Sequence, residues 1–375
     1  MIYKQFQDKQ LSALGMGAMR LPVIDGDDAR IDEVSAQQMI DYAMEQGVNY
    51  YDTAWGYHGG NSERVIGNAL CRYPREKYYL ADKFPGYDLS NMDKVEEIFE
   101  QQLAKCRVEY FDFYLFHNVC EMNIDAYLDK SYGIFAYLLQ QKKNGRIKHL
   151  GFSAHGSLAV MERFLAAYGD YMEFCQIQLN YLDWTFQDAK AKVELLQARN
   201  IPIWVMEPLR GGRLANLSAD AEAVLQQLRP EESIPAWAFR YLQTIDGVTV
   251  TLSGMSNFQQ LQENIRTFQA AAPLNEQELE AVYQIADTMR IQSVLPCTAC
   301  RYCVSHCPQK LDIPGLLALY NEHKFTENGF IAPMALAALP QEAWPNACVG
   351  CRSCEAVCPQ QIEISGAMKA FSAML

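Results

Sequence analysis

Short apolar runs alternate with longer amphipathic segments from about residue 10 to residue 290. A short apolar run between turn-forming residues is typical of a buried strand, and apolar residues spaced three and four apart are typical of a helix. The predicted strands are Leu14–Gly17, Tyr50–Asp52, Tyr78–Phe84, Phe111–His117, His149–Ser153, Phe174–Leu179, Pro202–Met206 and Gly247–Leu252. The helical stretches between them include Ser35–Gln46, Met92–Lys105, Asp188–Ala198 and Ile234–Gln243. Eight strand–helix repeats favour an α/β fold, a closed (β/α)₈ barrel of the TIM type, over an open doubly wound sheet.

Both ends of the chain depart from this repeat. Before the first barrel strand, Tyr3–Phe6 and Gln10–Ser12 predict a hairpin that plugs the bottom of the barrel. After the last barrel helix, Asn275–Ile291 predicts one more helix, which Pro296 ends. The chain is therefore expected to form a barrel domain of residues 1–290 and a small, mainly helical domain of residues 291–375.

Cysteine usage sets the second domain apart. Eight of the 12 cysteines lie between Cys297 and Cys358. They form two runs of the pattern Cys-x2-Cys-x2-Cys-x3-Cys-Pro, the pattern that binds a pair of [4Fe-4S] clusters. Zinc is disfavoured, because zinc sites show paired Cys-x2-Cys elements rather than four cysteines in one run. The other four, Cys71, Cys106, Cys120 and Cys175, are predicted to be buried thiols.

The ligand sets of the two clusters follow from the pairing of the runs. In two-cluster proteins the fourth cysteine of each run binds the other cluster. One predicted set is therefore Cys297, Cys300, Cys303 and Cys358, and the other is Cys348, Cys351, Cys354 and Cys307. The segment between the runs contains the helical stretch Ile313–His323, which favours a helical dicluster domain over a compact sandwich.

The net charge of −13 falls mainly outside this domain. From Ser293 onward there are 5 Lys and Arg against 6 Asp and Glu, or −1, which leaves −12 for the rest. An acidic surface repels phosphate backbones, so nucleic acid is not an expected partner. The N-terminal residues lack the apolar stretch of a signal peptide, and no run has the length of a membrane span. A cytoplasmic protein without membrane contact is predicted.

Polar residues at the ends of the predicted strands are the first candidates for catalysis, because active sites of such barrels lie there. Asp52 ends the second barrel strand, Lys83 lies on the third and His117 ends the fourth; Tyr57 follows Asp52 in the next loop. A lysine paired with a carboxylate can lower the pKa of a neighbouring tyrosine, which then donates a proton to a carbonyl oxygen. A histidine beside it can orient and polarise the same oxygen.

The stretch from Gly47 to Tyr57, with Asn61-Ser62-Glu63 and Ile66-Gly67 after it, resembles the aldo-keto reductase family. The resemblance covers residues from about 10 to 290, and the whole chain is similar to the family's ferredoxin-tailed bacterial members. It implies that Tyr57 is the general acid and base, that Lys83 and Asp52 tune it, and that His117 orients the carbonyl. It also implies a small aldehyde or ketone as substrate and NADPH or NADH as cofactor.

The same resemblance indicates where the nicotinamide cofactor is held. Ser153 and Gln178 are expected to bond its carboxamide, with His155 where the family usually has asparagine. Segments after the seventh and eighth barrel strands are expected to hold the pyrophosphate and the adenosine. The predicted residues there are Met206, Pro208, Leu209, Gly211, Gly254, Ser256, Gln260, Glu263 and Asn264.

Further departures from the family pattern concern the cofactor. Met206 stands where the family often stacks a tyrosine on the nicotinamide. Gly254 and Gln260 stand where many members have basic residues for the 2′-phosphate, which leaves NADP against NAD open. Three arginines, Arg210, Arg213 and Arg266, are candidates to compensate.

Two functions from different classes fit these features. The first is a carbonyl reductase whose clusters exchange electrons with a redox protein partner. Hydride transfer moves two electrons at once, whereas each cluster takes one electron. A flavin normally couples these two kinds of transfer, and no flavin-binding motif is evident in the sequence. The second is an electron-transfer or redox-sensing protein whose barrel binds the cofactor as a regulatory ligand. The complete set of four catalytic candidates favours the enzyme.

Overall fold

The computed structural model describes residues 1–297, 299–326 and 329–375, with only the backbone of residues 291–293. The chain divides into two compact units, Met1–Tyr283 and Gln284–Leu375. This division falls within the helix that the sequence predicts between the domains, somewhat before the expected boundary between residues 290 and 291.

The first unit is a closed barrel. Ten strands are described: β1 (Tyr3–Phe6), β2 (Lys9–Ser12), β3 (Leu14–Gly17), β4 (Tyr50–Asp52), β5 (Tyr79–Phe84), β6 (Phe111–Val119), β7 (Ile147–Ala154), β8 (Cys175–Gln178), β9 (Ile203–Met206) and β10 (Val248–Gly254). Strands β3 to β10 are all parallel, each pairs with the next, and β10 closes the barrel on β3. The predicted eight-stranded barrel is confirmed, with strand ends displaced by up to two residues.

The N-terminal hairpin fills one end of the barrel. Strands β1 and β2 pair antiparallel, and Phe6 at the end of β1 is buried. Its ring packs edge-on against Trp204, 5.1 Å between centroids, and at a tilt against Phe113, 5.5 Å away. Leu11 of β2 belongs to the same cluster. The hairpin therefore covers the interior with apolar side chains, as the sequence predicts.

The helices of the barrel unit lie between its strands, except for the last two, which follow β10. The described ones are α1 (Glu33–Glu45), α2 (Ser62–Leu70), α3 (Val95–Cys106), α4 (Ile124–Leu128), α5 (Ile134–Lys143), α6 (Leu158–Tyr168), α7 (Asp183–Phe186), α8 (Ala189–Ala198), α9 (Ala219–Leu228), α10 (Ile234–Leu242), α11 (Phe258–Thr267) and α12 (Glu276–Ser293). Helix α12 runs across the division between the units. Short 3₁₀ turns occur in several loops, including Tyr57–Gly60 and Arg210–Ala215.

The second unit is mainly helical. Its described helices are α13 (Ile313–Phe325), α14 (Ile331–Ala337) and α15 (Ile364–Met374). They enclose an apolar core that includes Leu317, Ile364, Met368 and Phe371. Among the described helices, none is long and apolar enough to cross a membrane.

The four cysteines outside the two runs do not all behave as predicted. Cys106, Cys120 and Cys175 are buried, as expected. Cys71 is exposed, so its prediction as a buried thiol was wrong. It follows directly on the last residue of α2, where the chain turns to the surface.

Candidate functional site

A buried ion pair lies at the end of two adjacent strands. Strands β4 and β5 pair in parallel, which places Asp52 at the end of β4 opposite Ala81, two residues before Lys83 of β5. Nζ of Lys83 donates to Oδ1 of Asp52 at 2.5 Å and to the carbonyl of Thr53 at 2.8 Å. Burial disfavours the ammonium, but the charge of Asp52 raises the pKa of Lys83 above its usual value. Lys83 is therefore held as a cation.

The positive charge of Lys83 lies close to the ring of Tyr57. Nζ of Lys83 lies 5.1 Å from the centre of its ring. Burial raises the pKa of Tyr57 above 10.0, and the ammonium of Lys83 opposes that rise. The expected lowering by Lys83 is therefore present, but burial outweighs it. The phenol stays protonated, which suits a proton donor.

His117 completes this group. Its ring meets that of Tyr57 nearly at right angles, with 6.2 Å between centroids. Burial and the nearby charge of Lys83 hold the pKa of His117 well below 6.5, so its imidazole is neutral. Among the described residues, no hydrogen-bond partner is found for the buried Nδ1. Tyr87 packs against the same imidazole, 5.2 Å away, and burial raises the pKa of that phenol to about 12.

A buried polar network supports Lys83 from behind. Nε2 of Gln102 donates to the backbone carbonyl of Lys83 at 3.0 Å and to carboxylate oxygens of Asp82 and Glu63 at 2.9 and 3.0 Å. Burial raises the pKa of Asp82 well above its usual value. The network fixes the backbone of β5 at the residue that carries the ammonium.

Next to the four catalytic candidates lies a large cleft with a cavity volume of about 430 Å³. Asp52 and Tyr57 form part of its wall. The cleft is lined by Met206, Pro208, Leu209, Gly211, Gly254, Ser256, Gln260, Glu263 and Asn264, all of which the sequence predicts to bind the cofactor. The cleft extends from Asp52 and Tyr57 to α11, which is farther than a small substrate alone would reach, so it fits a dinucleotide.

Three predicted cofactor residues are not part of this lining. Oγ of Ser153 accepts a hydrogen bond from the backbone N–H of Asn118. Nε2 of Gln178 donates to Asp183 at 2.8 Å, so this amide is already used within the fold. His155 is partly buried, and desolvation of its ring lowers its pKa to about 3. These placements differ from the expected direct contacts, because each of the three lies among protein groups rather than on the wall of the cleft.

The structure adds Gln176, which the sequence prediction did not include. Gln176 lies two residues before Gln178 on β8 and therefore on the same face of the strand. It lines the cleft, and its buried Oε1 has no partner among the described residues. Its Nε2 contacts Sδ of Met206 at 3.6 Å. An unpaired amide oxygen at this point fits the carboxamide N–H₂ of a nicotinamide.

The turn after β9 has an irregular backbone. Gly211 and Gly212 have φ of 65° and 96°, in the left-handed region that favours glycine. Both line the cleft, and nothing lies within 4 Å of the place where a Cβ of Gly212 would stand. This open glycine backbone lets a phosphate approach closely, so the turn fits the pyrophosphate of a dinucleotide.

The three arginines expected to meet a 2′-phosphate are placed elsewhere. Nε of Arg210 lies 3.4 Å from Oδ1 of the buried Asp183. Neither Arg213 nor Arg266 is among the described residues that line the cleft. The arginine in that lining is Arg20, from the loop after β3.

The cysteine runs enclose two cavities in the second unit. One is lined by Cys297, Cys300, Cys303 and Cys358. The other is lined by Cys307, Cys348, Cys351 and Cys354. Each cavity takes three thiols from one run and the fourth from the other run. Within the described residues, no three of these thiols converge closely enough for a single metal ion. The donors instead surround a space, which fits a cluster.

Two family models match the chain. The model of the aldo/keto reductase family matches residues 13–287, and that of the 4Fe-4S dicluster domain matches residues 296–363. The two matched segments correspond to the barrel with its following helix and to the cysteine-rich region.

Individual proteins are similar to this chain over more than half of its length. An uncharacterized oxidoreductase of Bacillus subtilis, YqkF, is 23% identical over 308 residues, 73% of this chain and 92% of that protein. An NADH-specific methylglyoxal reductase of Escherichia coli is 24% identical over 230 residues, 55% of this chain and 66% of that protein. The holo form of the aldo-keto reductase AKR11C1 from Bacillus halodurans superimposes with a TM-score of 0.62 at 23% identity, covering 76% of this chain and 96% of that one. At that identity the superposition shows the shared fold.

Proposed function

Because this chain belongs to the aldo/keto reductase family and is an oxidoreductase with a 4Fe-4S domain, we propose that its barrel reduces an aldehyde or ketone. A nicotinamide cofactor bound in the cleft supplies the hydride. The observation that carries the proposal is the group of buried Lys83, Asp52 and His117 with the half-buried Tyr57 beside that cleft.

Tyr57 donates the proton in this reaction. Its phenol is protonated at neutral pH. Of the four catalytic candidates, Tyr57 and Asp52 line the cleft. The cation of Lys83 stabilises the phenolate that remains after the proton has left. Asp52 keeps Lys83 charged and in place. Neutral His117 donates a hydrogen bond to the carbonyl oxygen and so orients it toward Tyr57.

The cleft holds the cofactor along its length. Gln176 accepts a hydrogen bond from the carboxamide, in place of the contact first expected from Gln178. Met206 covers the nicotinamide with a flexible thioether where the family often has an aromatic ring. The glycine turn after β9 receives the pyrophosphate, and the loop after β10 with the start of α11 receives the adenosine. The backbone of Gly211 and Gly212 supports this arrangement.

The second unit holds two [4Fe-4S] clusters in the crosswise arrangement of ligands described above. The two cavities, each lined by four cysteines, support this number. Each cluster transfers one electron at a time, so a redox protein is the expected partner of this unit. The proposed hydride transfer in the barrel requires no electron from the clusters.

The test of the barrel chemistry is oxidation of NADH and NADPH by the anaerobically purified full chain with a panel of aldehydes and ketones. The panel includes methylglyoxal, because a relative carries that activity in its name. Tyr57→Phe should lower kcat by about 10²-fold or more. The exposed Tyr171→Phe is the matched control and should leave it unchanged. A folded wild type that turns over none of the panel contradicts the proposal, and so does full activity in Tyr57→Phe.

The role of the clusters is separated from this chemistry by a second variant. Cys300→Ser/Cys351→Ser changes one expected ligand of each cluster and none of the barrel residues. Carbonyl reduction by NADH should survive in this variant if it remains folded. Loss of turnover with nucleotide binding retained would place the clusters in the catalytic electron path and contradict the independence proposed above.

A further inference from the structure

His58 follows Tyr57 directly and lies in the turn Tyr57–Gly60, with only 2% of its surface exposed. Its backbone has φ of 54° and ψ of 43°, in the left-handed region that a residue with a side chain seldom adopts. A residue in such a conformation persists only where the contacts around it hold it there. The contacts of the imidazole therefore show what fixes the chain next to Tyr57.

Both ring nitrogens of His58 bond to the loop after β3, residues 18–32. The backbone N–H of Leu21 can only donate, so Nε2 of His58, 3.1 Å away, is the acceptor. Nδ1 then carries the proton and donates to the carbonyl of Asp28 at 2.7 Å, with Oδ1 of the same residue 3.2 Å away. The imidazole therefore connects the turn after Tyr57 to two points of this loop.

The contact with Asp28 lies on the outer side of the loop, where Asp28 is exposed. Nδ2 of Asn61, directly after the turn, donates to the carbonyl of Ala29 at 3.1 Å. A second side chain therefore holds this outer part of the loop against the turn. Loss of the Nδ1 contact alone should disturb the loop little.

The contact with Leu21 lies beside the cleft. Leu21 is buried and directly follows Arg20, which lines the cleft. Oγ of Ser62, the first residue of α2, donates to the carbonyl of Ala18 at 3.0 Å. The cleft-lining stretch is thus held at one end by Ser62 and at the other by Nε2 of His58. Without Nε2, the N–H of Leu21 would lose its acceptor, and the loop or the turn would have to move to satisfy it.

The chain that enters the turn is held without His58. Nζ of Lys105 lies 3.7 Å from the centre of the Trp55 ring. The backbone N–H of Tyr57 donates to the carbonyl of Ala54 at 3.1 Å. These contacts fix the chain before Tyr57, and those of His58 fix the chain after it.

We propose that His58 is a positioning residue for the proton donor: its Nε2 accepts from Leu21 and so holds the turn of Tyr57 against the loop that lines the cleft. This inference rests on the proposed function, because it assumes that Tyr57 gives a proton to the carbonyl. His58 acts through the placement of the phenol rather than on the carbonyl itself. Since a misplacement of about 1 Å can slow such a step by about 10²-fold, loss of the contact should lower kcat and change KM for the carbonyl little.

Two variants separate the two ring nitrogens. The amide atoms of Gln stand as many bonds from Cβ as Nε2 does, and those of Asn stand as many as Nδ1. His58→Gln therefore keeps an acceptor for Leu21, and His58→Asn keeps a donor for Asp28. In the carbonyl assay of the anaerobic full chain, His58→Asn should lower kcat by about tenfold or more with KM within about threefold, and His58→Gln should restore kcat to within about threefold of wild type. Backbone strain alone predicts the opposite order, because Asn adopts the left-handed region more readily than Gln.

The order of the two variants decides the inference. Circular dichroism first establishes that each is folded. Equal kcat values, or a greater loss in His58→Gln, overturn the inference. If His58→Asn does not fold, His58→Gln still decides, because a loss of about tenfold in that folded variant contradicts the assignment of Nε2.

A double variant shows whether His58 acts through Tyr57. In Tyr57→Phe, which lacks the proton donor, His58→Asn should lower the residual turnover by less than about twofold. A loss there as large as in the wild type would mean that His58 supports the site independently of Tyr57, and it would overturn the inference. An inactive wild type, or full activity in Tyr57→Phe, overturns the proposed function instead. Turnover that depends on Tyr57 but is unchanged in His58→Asn overturns the inference alone.

Discussion

Nζ of Lys83 lies 2.5 Å from Oδ1 of Asp52, and both side chains are buried. An ion pair in such a place is costly to break, because removal of one partner leaves the other charge unpaired inside the protein. Burial raises the pKa of the Asp52 carboxyl, and the ammonium of Lys83 opposes this. The two side chains therefore depend on each other for stability, as they do in the proposed catalytic step.

The first prediction concerns this ion pair. Lys83→Met and Asp52→Asn should each lower the free energy of unfolding of the barrel by about 3 to 5 kcal/mol. The double variant should lose less than the sum of the two, because it leaves no unpaired charge. Chemical unfolding followed by the fluorescence of the buried Trp204 and Trp237 measures this. Additive losses would mean that the two side chains do not depend on each other.

The second prediction follows from the protonation of Tyr57 and His117. Burial raises the pKa of Tyr57 above 10.0 and lowers that of His117 well below 6.5. Carbonyl reduction needs the protonated phenol and the neutral imidazole, so its rate should be flat from pH 6.5 to 10.0 and fall only above the pKa of Tyr57. Single-turnover rates with reduced cofactor measure this profile. A loss of rate centred near pH 8 would contradict it, since it would require a lowered pKa for Tyr57.

The third prediction separates two glutamines of one strand. Gln176 lines the cleft with a buried amide oxygen that has no described partner, whereas Gln178 is bonded to Asp183. Gln176→Leu should weaken nucleotide binding by about tenfold, the worth of one hydrogen bond to a buried group. Gln178→Leu should instead lower the free energy of unfolding of the barrel, because Asp183 loses one hydrogen-bond donor. Nucleotide titration and unfolding of both variants distinguish these effects. If only Gln178→Leu weakened nucleotide binding, Gln178 rather than Gln176 would be the residue that contacts the carboxamide.

These glutamines show why part of the site could be predicted from sequence and part could not. The strands were found because buried parallel strands are continuous apolar runs, and Asp52, Lys83 and His117 were found because strand ends meet at one end of a barrel. Gln176 and Gln178 share a strand face, so alternation cannot choose between them. The choice depends on Asp183, which belongs to α7 and captures the second amide. The position of Arg20 depends likewise on the course of a loop.

The last prediction concerns the crossed arrangement of thiols in the second unit. The cavity lined by Cys300 also contains Cys358, while Cys307 lines the other one. Cys300→Ser/Cys358→Ser therefore changes two ligands of the same cluster and should retain about four iron atoms per chain. Cys300→Ser/Cys307→Ser removes the same number of thiols but affects both clusters, so it should retain fewer. Iron and sulfide analysis with electron paramagnetic resonance of the reduced proteins measures both. If each run instead held its own cluster, the results would be reversed: the Cys300/Cys307 variant would keep one cluster intact, and the Cys300/Cys358 variant would damage two.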